Sequence, residues 1–430
     1  MIGKIKALVN GDNKQVASNF ISNSIFQGAN LILPLLTFPY LVKVLGIERY
    51  GLVFFAQAFI TYFLTFAEYG FNLTGTREIS LSKNNLSNLS KSYCSIFYAR
   101  VYLMVIGFIV LVFIVFAFGR FRSDWQLYIY TYGIVVGTTL FPIWFFQGIG
   151  EMKYITILNL IFKLTFTASI FLFIKDSSDY LLYPMLNSFG YIIVGVISLF
   201  IIRFKFNIKF QTPAYKVVLV QLRNGWLVFI SKLSISLYTA TTTFALGLVT
   251  NPSVVGYYVV AEKLVRIVGT LFYPLTQAIY PHIVVLVRSS KTKAAAYIAT
   301  VLKYTILSSS MIMIFLLIFD EYIFSLLFGN SGAHSVTIFR VLSPLILIIP
   351  VSSILFNVVL LSFKMDSSFF KIYRLGASLN LVLLFIFLYV FNFENVGAAI
   401  SLVLCEFVIV LYAGVLIWKN DILIFSFRSG

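Results

Sequence analysis

The chain has 430 residues, of which 60% are hydrophobic and only 11% charged, with a formal net charge of +17. A soluble domain carries roughly 25% charged residues and hides its core behind them, so a water-soluble fold is excluded. The basic residues are scattered between apolar runs with no compact basic domain, which excludes nucleic acid as the partner and leaves an integral membrane protein.

A membrane helix needs about 20 mostly apolar residues to cross ~30 Å of hydrocarbon. The basic N-terminus is like that of a signal peptide. However, the apolar run from Phe20 to Leu45 exceeds the roughly 7–15 residues of a signal core, and no small-residue cleavage site follows. It reads as a retained first span over 18–45. Pro34 and Pro39 interrupt it, predicting either a static kink or a bend that straightens as a cavity changes side. After the turn GIERYG, spans follow at 52–72, 93–118, 125–148, 154–174 and 180–202, completing a first six-helix bundle, 1–210. Gly133 and Gly137, in the fourth, have the spacing of a helix-pairing motif. The second bundle, 211–430, holds spans at 217–249, 256–286, 296–319, 336–362, 371–391 and 396–418. Pro142, Pro344 and Pro350 invite the same two readings as Pro34 and Pro39. The segments are too long for barrel strands and lack polar–apolar alternation. The expectation is an all-α polytopic membrane protein of about twelve helices in two bundles.

With the N-terminus in the cytosol, basic residues favour the inner loops by roughly five to one, as the positive-inside rule requires. Arg77, Lys83, Lys91, Lys153, Arg203, Lys205, Arg288 and Lys293 fall inside. Asp124, Asp176, Asp179, Asp320, Glu321 and Glu394 fall outside. An even number of spans brings both termini to the cytosol. The connections leave no room for a soluble catalytic domain, so the chain is not expected to be an enzyme. Cys94 and Cys405 lie in apolar stretches and read as packing residues. His282 and His334 have no neighbour at metal-ligand spacing, so no metal or cofactor is expected.

The chain also resembles itself. A shift of 205 positions places Asn19 on Asn224, Gly51 on Gly256, Ala56 on Ala261 and Gln57 on Glu262 without a gap. Two such halves form a parallel repeat, an arrangement common in alternating-access transporters.

A charge at the bilayer centre costs roughly 2.5–3.5 kcal/mol or more, unless it snorkels, pairs or meets water. Lys43 lies near the outer end of the first span and can snorkel. Lys163 lies at the middle of ITILNLIFKLTFTASIFLF and cannot. Two readings stand for it: an ion pair inside the protein, for which Glu406 is the candidate acid, or a cavity that it lines with Arg100, Lys232, Lys263, Arg266 and Lys303. Such a cavity would attract an anion, phosphate above all. Glu262 has Arg266 one turn on, on the same helix face. Glu68 and Glu406 are the other acids within spans.

Three stretches together resemble a known family. They are NSIFQGANLILPLLTFPYLVKVLGIERYGLVFFAQAF, FAEYGFNLTGTREIS and PIWFFQGIGEMKYITILNLIFK. They are similar to the Wzx-type O-antigen flippases, polysaccharide transporters of the MATE-like superfamily. The likeness covers the whole span plan and is most specific over the first 165 residues. Where the family usually has Asp-Phe-Gly, this chain has Glu68-Tyr69-Gly70. The resemblance implies a bacterial inner-membrane protein with two six-helix bundles around a central cavity. It would carry undecaprenyl-pyrophosphate-linked oligosaccharide from the cytoplasmic to the periplasmic leaflet by alternating access coupled to an ion gradient. Membrane lipids and the pathway's polymerase and chain-length regulator would be its neighbours. In that setting Lys163 leads the candidates for the pyrophosphate, with Arg100, Lys232, Lys263, Arg266 and Lys303 beside it. Glu262, Glu68 and Glu406 are the candidates for ion coupling. The rivals are a drug or cation antiporter of the same superfamily and an exporter of another polysaccharide. Buried bases outnumber buried acids about two to one, which favours an anionic cargo.

Overall fold

The computed structural model describes residues 12–420 and Ile422, with side chains from residue 33 onward except at positions 238, 330, 331 and 366. Lys4, Lys6 and Arg428, which bear on the orientation of the termini, lie outside the described residues. No strand occurs among those described. In chain order the helices are α1 (Asp12–Glu68), α2 (Phe71–Ser82), α3 (Leu86–Ala117), α4 (Trp125–Leu140), α5 (Ile143–Ile149), α6 (Met152–Phe173), α7 (Leu182–Phe204) and α8 (Tyr215–Val249). They continue as α9 (Pro252–Thr270), α10 (Tyr273–Ser289), α11 (Lys291–Ile318), α12 (Asp320–Phe328), α13 (Ala333–Leu342), α14 (Leu345–Ser353), α15 (Asp366–Phe385) and α16 (Glu394–Lys419).

Nine helical stretches among the described residues are long and apolar enough to cross a membrane, or eleven when two bent pairs each count as one span. Large apolar side chains such as Phe113, Leu227 and Met311 face outward along them, as a lipid-facing surface requires. The first two spans read from the sequence are joined within α1, where the backbone leaves helical geometry at Gly46 (φ 75°, ψ 163°). That break falls after Pro34 and Pro39, which both lie in helix. Glycine reaches a positive φ without the Cβ penalty, so it, and not the prolines, marks the kink. Pro142 and Pro344 do sit at breaks: α4 gives way to α5 at Phe141–Pro142, and the stretch from α13 to Leu360 bends by 45°. Pro350 stays inside α14.

Contacts divide the described chain into two compact units. One runs to Phe38 and resumes over Ala56–Leu233; the other comprises Pro39–Phe55 and the chain from Ser234. In the first unit an aromatic core gathers Tyr93, Phe97, Trp144, Phe145 and Phe146. Gly133 and Gly137 are used internally: a Cβ on either would strike Ser188 or Tyr191 of α7 at 2.5 Å. The small-residue pair therefore seats α4 on α7. At the end of α1, Tyr69 (φ 47°) and Gly70 (φ 78°) turn the chain into α2. A non-glycine residue there costs on the order of 1–3 kcal/mol and persists only where packing holds it. The Tyr69 ring is clamped on Phe229, centroids 4.5 Å apart and planes 8° from parallel.

The second unit has its own apolar core, built from Ile298, Val358, Val359, Cys405 and Ile409 among others. Two segments that the repeat places in register touch reciprocally within it. A Cβ on Gly51 would lie 2.0 Å from the Pro252 carbonyl oxygen, and one on Gly256 would lie 2.1 Å from the Ile47 carbonyl oxygen. Positions 47 and 252 obey the same 205-residue shift as 51 and 256.

On α12, Asp320 is buried and accepts two bonds from Arg340, at 2.6 and 3.1 Å. Those bonds hold its carboxyl below the usual carboxylate range, against the opposing effect of burial. A depressed acid stabilises the fold above its unfolded value near 4 and loses that contribution as pH falls through the lower, folded value. Thermal midpoints measured from pH 7 to pH 3 should therefore drop on the acid side. Asp320→Asn should start lower at pH 7 and show a flatter acid limb.

Candidate functional site

Each unit contains buried charge, arranged differently. In the second unit α9 carries three neighbouring charges. Glu262, 9% exposed, accepts a bond from Arg266 Nε at 2.7 Å, closing the one-turn pair expected from the sequence. Thr243 donates a longer bond to its other oxygen, at 3.5 Å. Glu406 of α16, 8% exposed, acts electrostatically on Arg266 and Tyr373. The cluster thus gathers two buried carboxylates about Arg266, with Lys263 beside Glu262. Truncating one partner of such a pair leaves the other charge uncompensated, which is why these groups act as a set.

Lys263 points to a different face of α9. Its ammonium donates to the Tyr50 hydroxyl at 3.0 Å and lies 3.6 Å from the centroid of the Phe54 ring. Ring faces attract a cation, most strongly where water is excluded. Tyr50 and Phe54 were not legible as partners, since they lie more than 200 positions upstream; only the aromatic richness of YGLVFFAQAF marked the stretch. Lys303, on α11, is exposed. Lys43 donates to the Leu326 carbonyl at 2.9 Å, at the end of α12.

In the first unit Lys163 is half-buried on α6. Phe162 beside it is buried, while Ile161 and Leu164 are exposed, so the lysine stands at the margin between an apolar outer face and the core. Arg100 is only 2% exposed, and it donates to the Thr138 carbonyl at 3.0 Å. Its electrostatic neighbours are Glu68 and Tyr93. Lys232 is exposed on α8, and Glu68 is half-buried at the end of α1. The six basic candidates therefore have unlike settings. Arg266, Lys263 and Arg100 are bound to partners within their own units, Lys163 is half-buried, and Lys232 and Lys303 are exposed.

Among the described residues no group of three or more His, Cys, Asp or Glu could hold a metal ion. Cys94 and Cys405 are both buried free thiols.

A multi-span helical chain with broken helices is a fold plan met among membrane transporters. Solved structures agree on the fold. An inward-facing multidrug resistance MATE family transporter of the MOP superfamily superposes with a TM-score of 0.66 at 13% identity, over 93% of this chain and 96% of that one. A lipid II flippase, MurJ, in its inward closed conformation gives 0.59 at 14% identity, over 94% and 87%. Residues 16–287 match the polysaccharide biosynthesis protein family, and the chain belongs to that family. A protein of Escherichia coli (strain K12) named "Putative O-antigen transporter" is 29% identical over 97% of this chain and the whole of its own length. One of the same name from Shigella dysenteriae is 26% identical, over 92% of this chain and 98% of its own.

Proposed function

We propose that this protein is a flippase for undecaprenyl-pyrophosphate-linked oligosaccharide, the O-antigen repeat unit. It carries the unit from the cytoplasmic to the periplasmic leaflet of the bacterial inner membrane. Full-length similarity to two proteins named as O-antigen transporters carries the reading. The physical need agrees with it: a diphosphate and a sugar chain cannot cross ~30 Å of hydrocarbon bare, since each unsatisfied polar group costs several kcal/mol there. Two six-helix bundles, 1–210 and 211–430, would alternate access to a basic, water-filled cleft while the polyprenyl tail stays in lipid. Lys163 is the leading residue for the diphosphate. It is the only half-buried base on α6, and that helix lies in the stretch of strongest family likeness.

Glu262, Arg266 and Glu406 are proposed as the coupling centre, with Glu68 as a second candidate. Glu262 and Glu406 are buried acids gathered on Arg266, and a proton or monovalent cation exchanged there would change the balance of that set. Drug or cation export is the rival reading. Among the described residues the base Arg100 is buried, as are the acids Glu262, Asp320 and Glu406, so the excess of buried bases expected from the sequence is not kept. The named relatives are what argue against the rival.

Reconstitution tests both parts. Proteoliposomes holding the lipid-linked oligosaccharide labelled on its sugar should move the label to the opposite leaflet, where an added glycosidase removes it. An ionophore that collapses the proton and cation gradients should slow net accumulation. Transfer no faster than in protein-free vesicles would refute the function. Full accumulation with the gradients collapsed would refute the coupling alone.

A further inference from the structure

A proline inside a helical segment removes one donor and leaves the carbonyl four residues earlier without its helix partner. For Pro142 that carbonyl belongs to Thr138. The last helical bond of α4 runs from the Phe141 amide to the Gly137 carbonyl, at 3.0 Å. The chain then leaves helical geometry at Phe141 (φ −100°, ψ 88°) and Pro142 (φ −80°, ψ 76°) before α5 begins. Buried backbone carbonyls without a partner are costly, most of all in hydrocarbon, so the break needs donors from elsewhere.

Those donors come from the helices on either side. Ser198 of α7 gives its hydroxyl to the Leu140 carbonyl at 3.0 Å. Arg100 of α3 gives Nη2 to the Thr138 carbonyl at 3.0 Å. A guanidinium this deeply buried is expected to meet a carboxylate, yet among the described residues no acid lies within ion-pair distance, and its Nε has no protein hydrogen-bond partner there. A backbone oxygen is its hydrogen-bonding target.

Beyond the break α5 still follows α4 within one span, and it packs on α2. Thr76 donates to the Gln147 side-chain oxygen at 3.2 Å, and a Cβ on Gly148 would strike Ile79 at 2.6 Å.

We propose that Arg100 is the positioning residue of the fourth span: it supplies the donor that Pro142 withholds from Thr138, and so holds the break that sets α5 against α2. On this reading Arg100 is not a ligand of the diphosphate. The inference rests on backbone geometry and stands whatever the cargo is.

The test separates stability from position. Arg100→Met should lower the thermal midpoint of the purified protein by about 4 °C or more, since it orphans a buried carbonyl. Adding Pro142→Ala lets the helix heal across Phe141 and bond Thr138 by itself, so the double variant should recover most of that midpoint. Healing also winds Phe141 and Pro142 into helix, which rotates α5 about its axis and shifts its register against α2. Crosslinking of Cys pairs introduced as Thr76→Cys and Gln147→Cys by a short bifunctional thiol reagent should be efficient with Arg100 and Pro142 in place. It should be lost in the double variant, which should also fail to display polysaccharide. An Arg100→Met protein with an unchanged midpoint would overturn the proposal and return Arg100 to the cargo site. So would a double variant no more stable than Arg100→Met, or one that crosslinks and exports normally.

Discussion

Lys163→Ala is expected to abolish O-antigen display while leaving the protein inserted and folded. Losing one partner of a desolvated charge pair typically costs ~2–5 kcal/mol, so transport should fall about 30-fold or more. Insertion should not suffer, because removing an ammonium from the middle of a span lowers the cost of placing it in hydrocarbon. Lys163→Arg should restore part of the rate, since a guanidinium also binds phosphate but with a planar, longer reach. The measurements are surface polysaccharide in cells whose own transporter is deleted, and protein abundance in the membrane fraction. Wild-type display with alanine would remove Lys163 from the mechanism. Equal loss of display and protein would make it a folding residue.

The largest stability effect is expected at the meeting of Gly51 and Gly256. A Cβ at Gly51 would lie within 2.9 Å of three backbone atoms, none of which can rotate away. The two segments must separate by more than an ångström to admit it. Overpacking a close-packed contact costs typically ~1–3 kcal/mol and more where backbone must move, so Gly51→Ala should lower the thermal midpoint by about 4 °C or more. Gly256→Ala should do the same, because its clash mirrors the first. The double variant should cost well short of the sum, since the first methyl has already pushed the segments apart. A double-mutant cycle reads that shortfall directly. Additive losses, or two harmless single variants, would show that the segments do not press together.

How far the molecule can be read from its residues follows from what each pattern reports. Long apolar runs report solvent, so the helical, membrane-spanning class was legible; the span number was less so, about twelve being expected where the described residues hold nine to eleven. The Glu262–Arg266 pair was legible as well, because both ends lie on one helix face within a turn. Depth in a span is also visible, and it put Lys163, Arg100 and Lys263 among the buried bases. Facing is not visible: which way Arg100 turns depends on α4, and what lies over Lys263 depends on Tyr50 and Phe54. The prolines show the same limit. All five stand in spans, yet the chain breaks at Pro142 and Pro344 while Pro34, Pro39 and Pro350 stay in helix. A proline weakens one bond; neighbouring side chains decide whether the weakness becomes a break. The orphaned Thr138 carbonyl follows from simple register, but its donor lies 38 residues away.

The mutual contact at Gly51 and Gly256 bears on descent. An exchange in which each position meets the other's partner is what two identical subunits make across a symmetry axis. A half-length forebear with one such glycine would have had a self-complementary patch there, and gene fusion would have freed its two descendants to drift apart. They have done so one turn further along: Gln57 and Thr61 in the earlier copy stand where Glu262 and Arg266 stand in the later one. The charge pair therefore distinguishes the later copy from the earlier one.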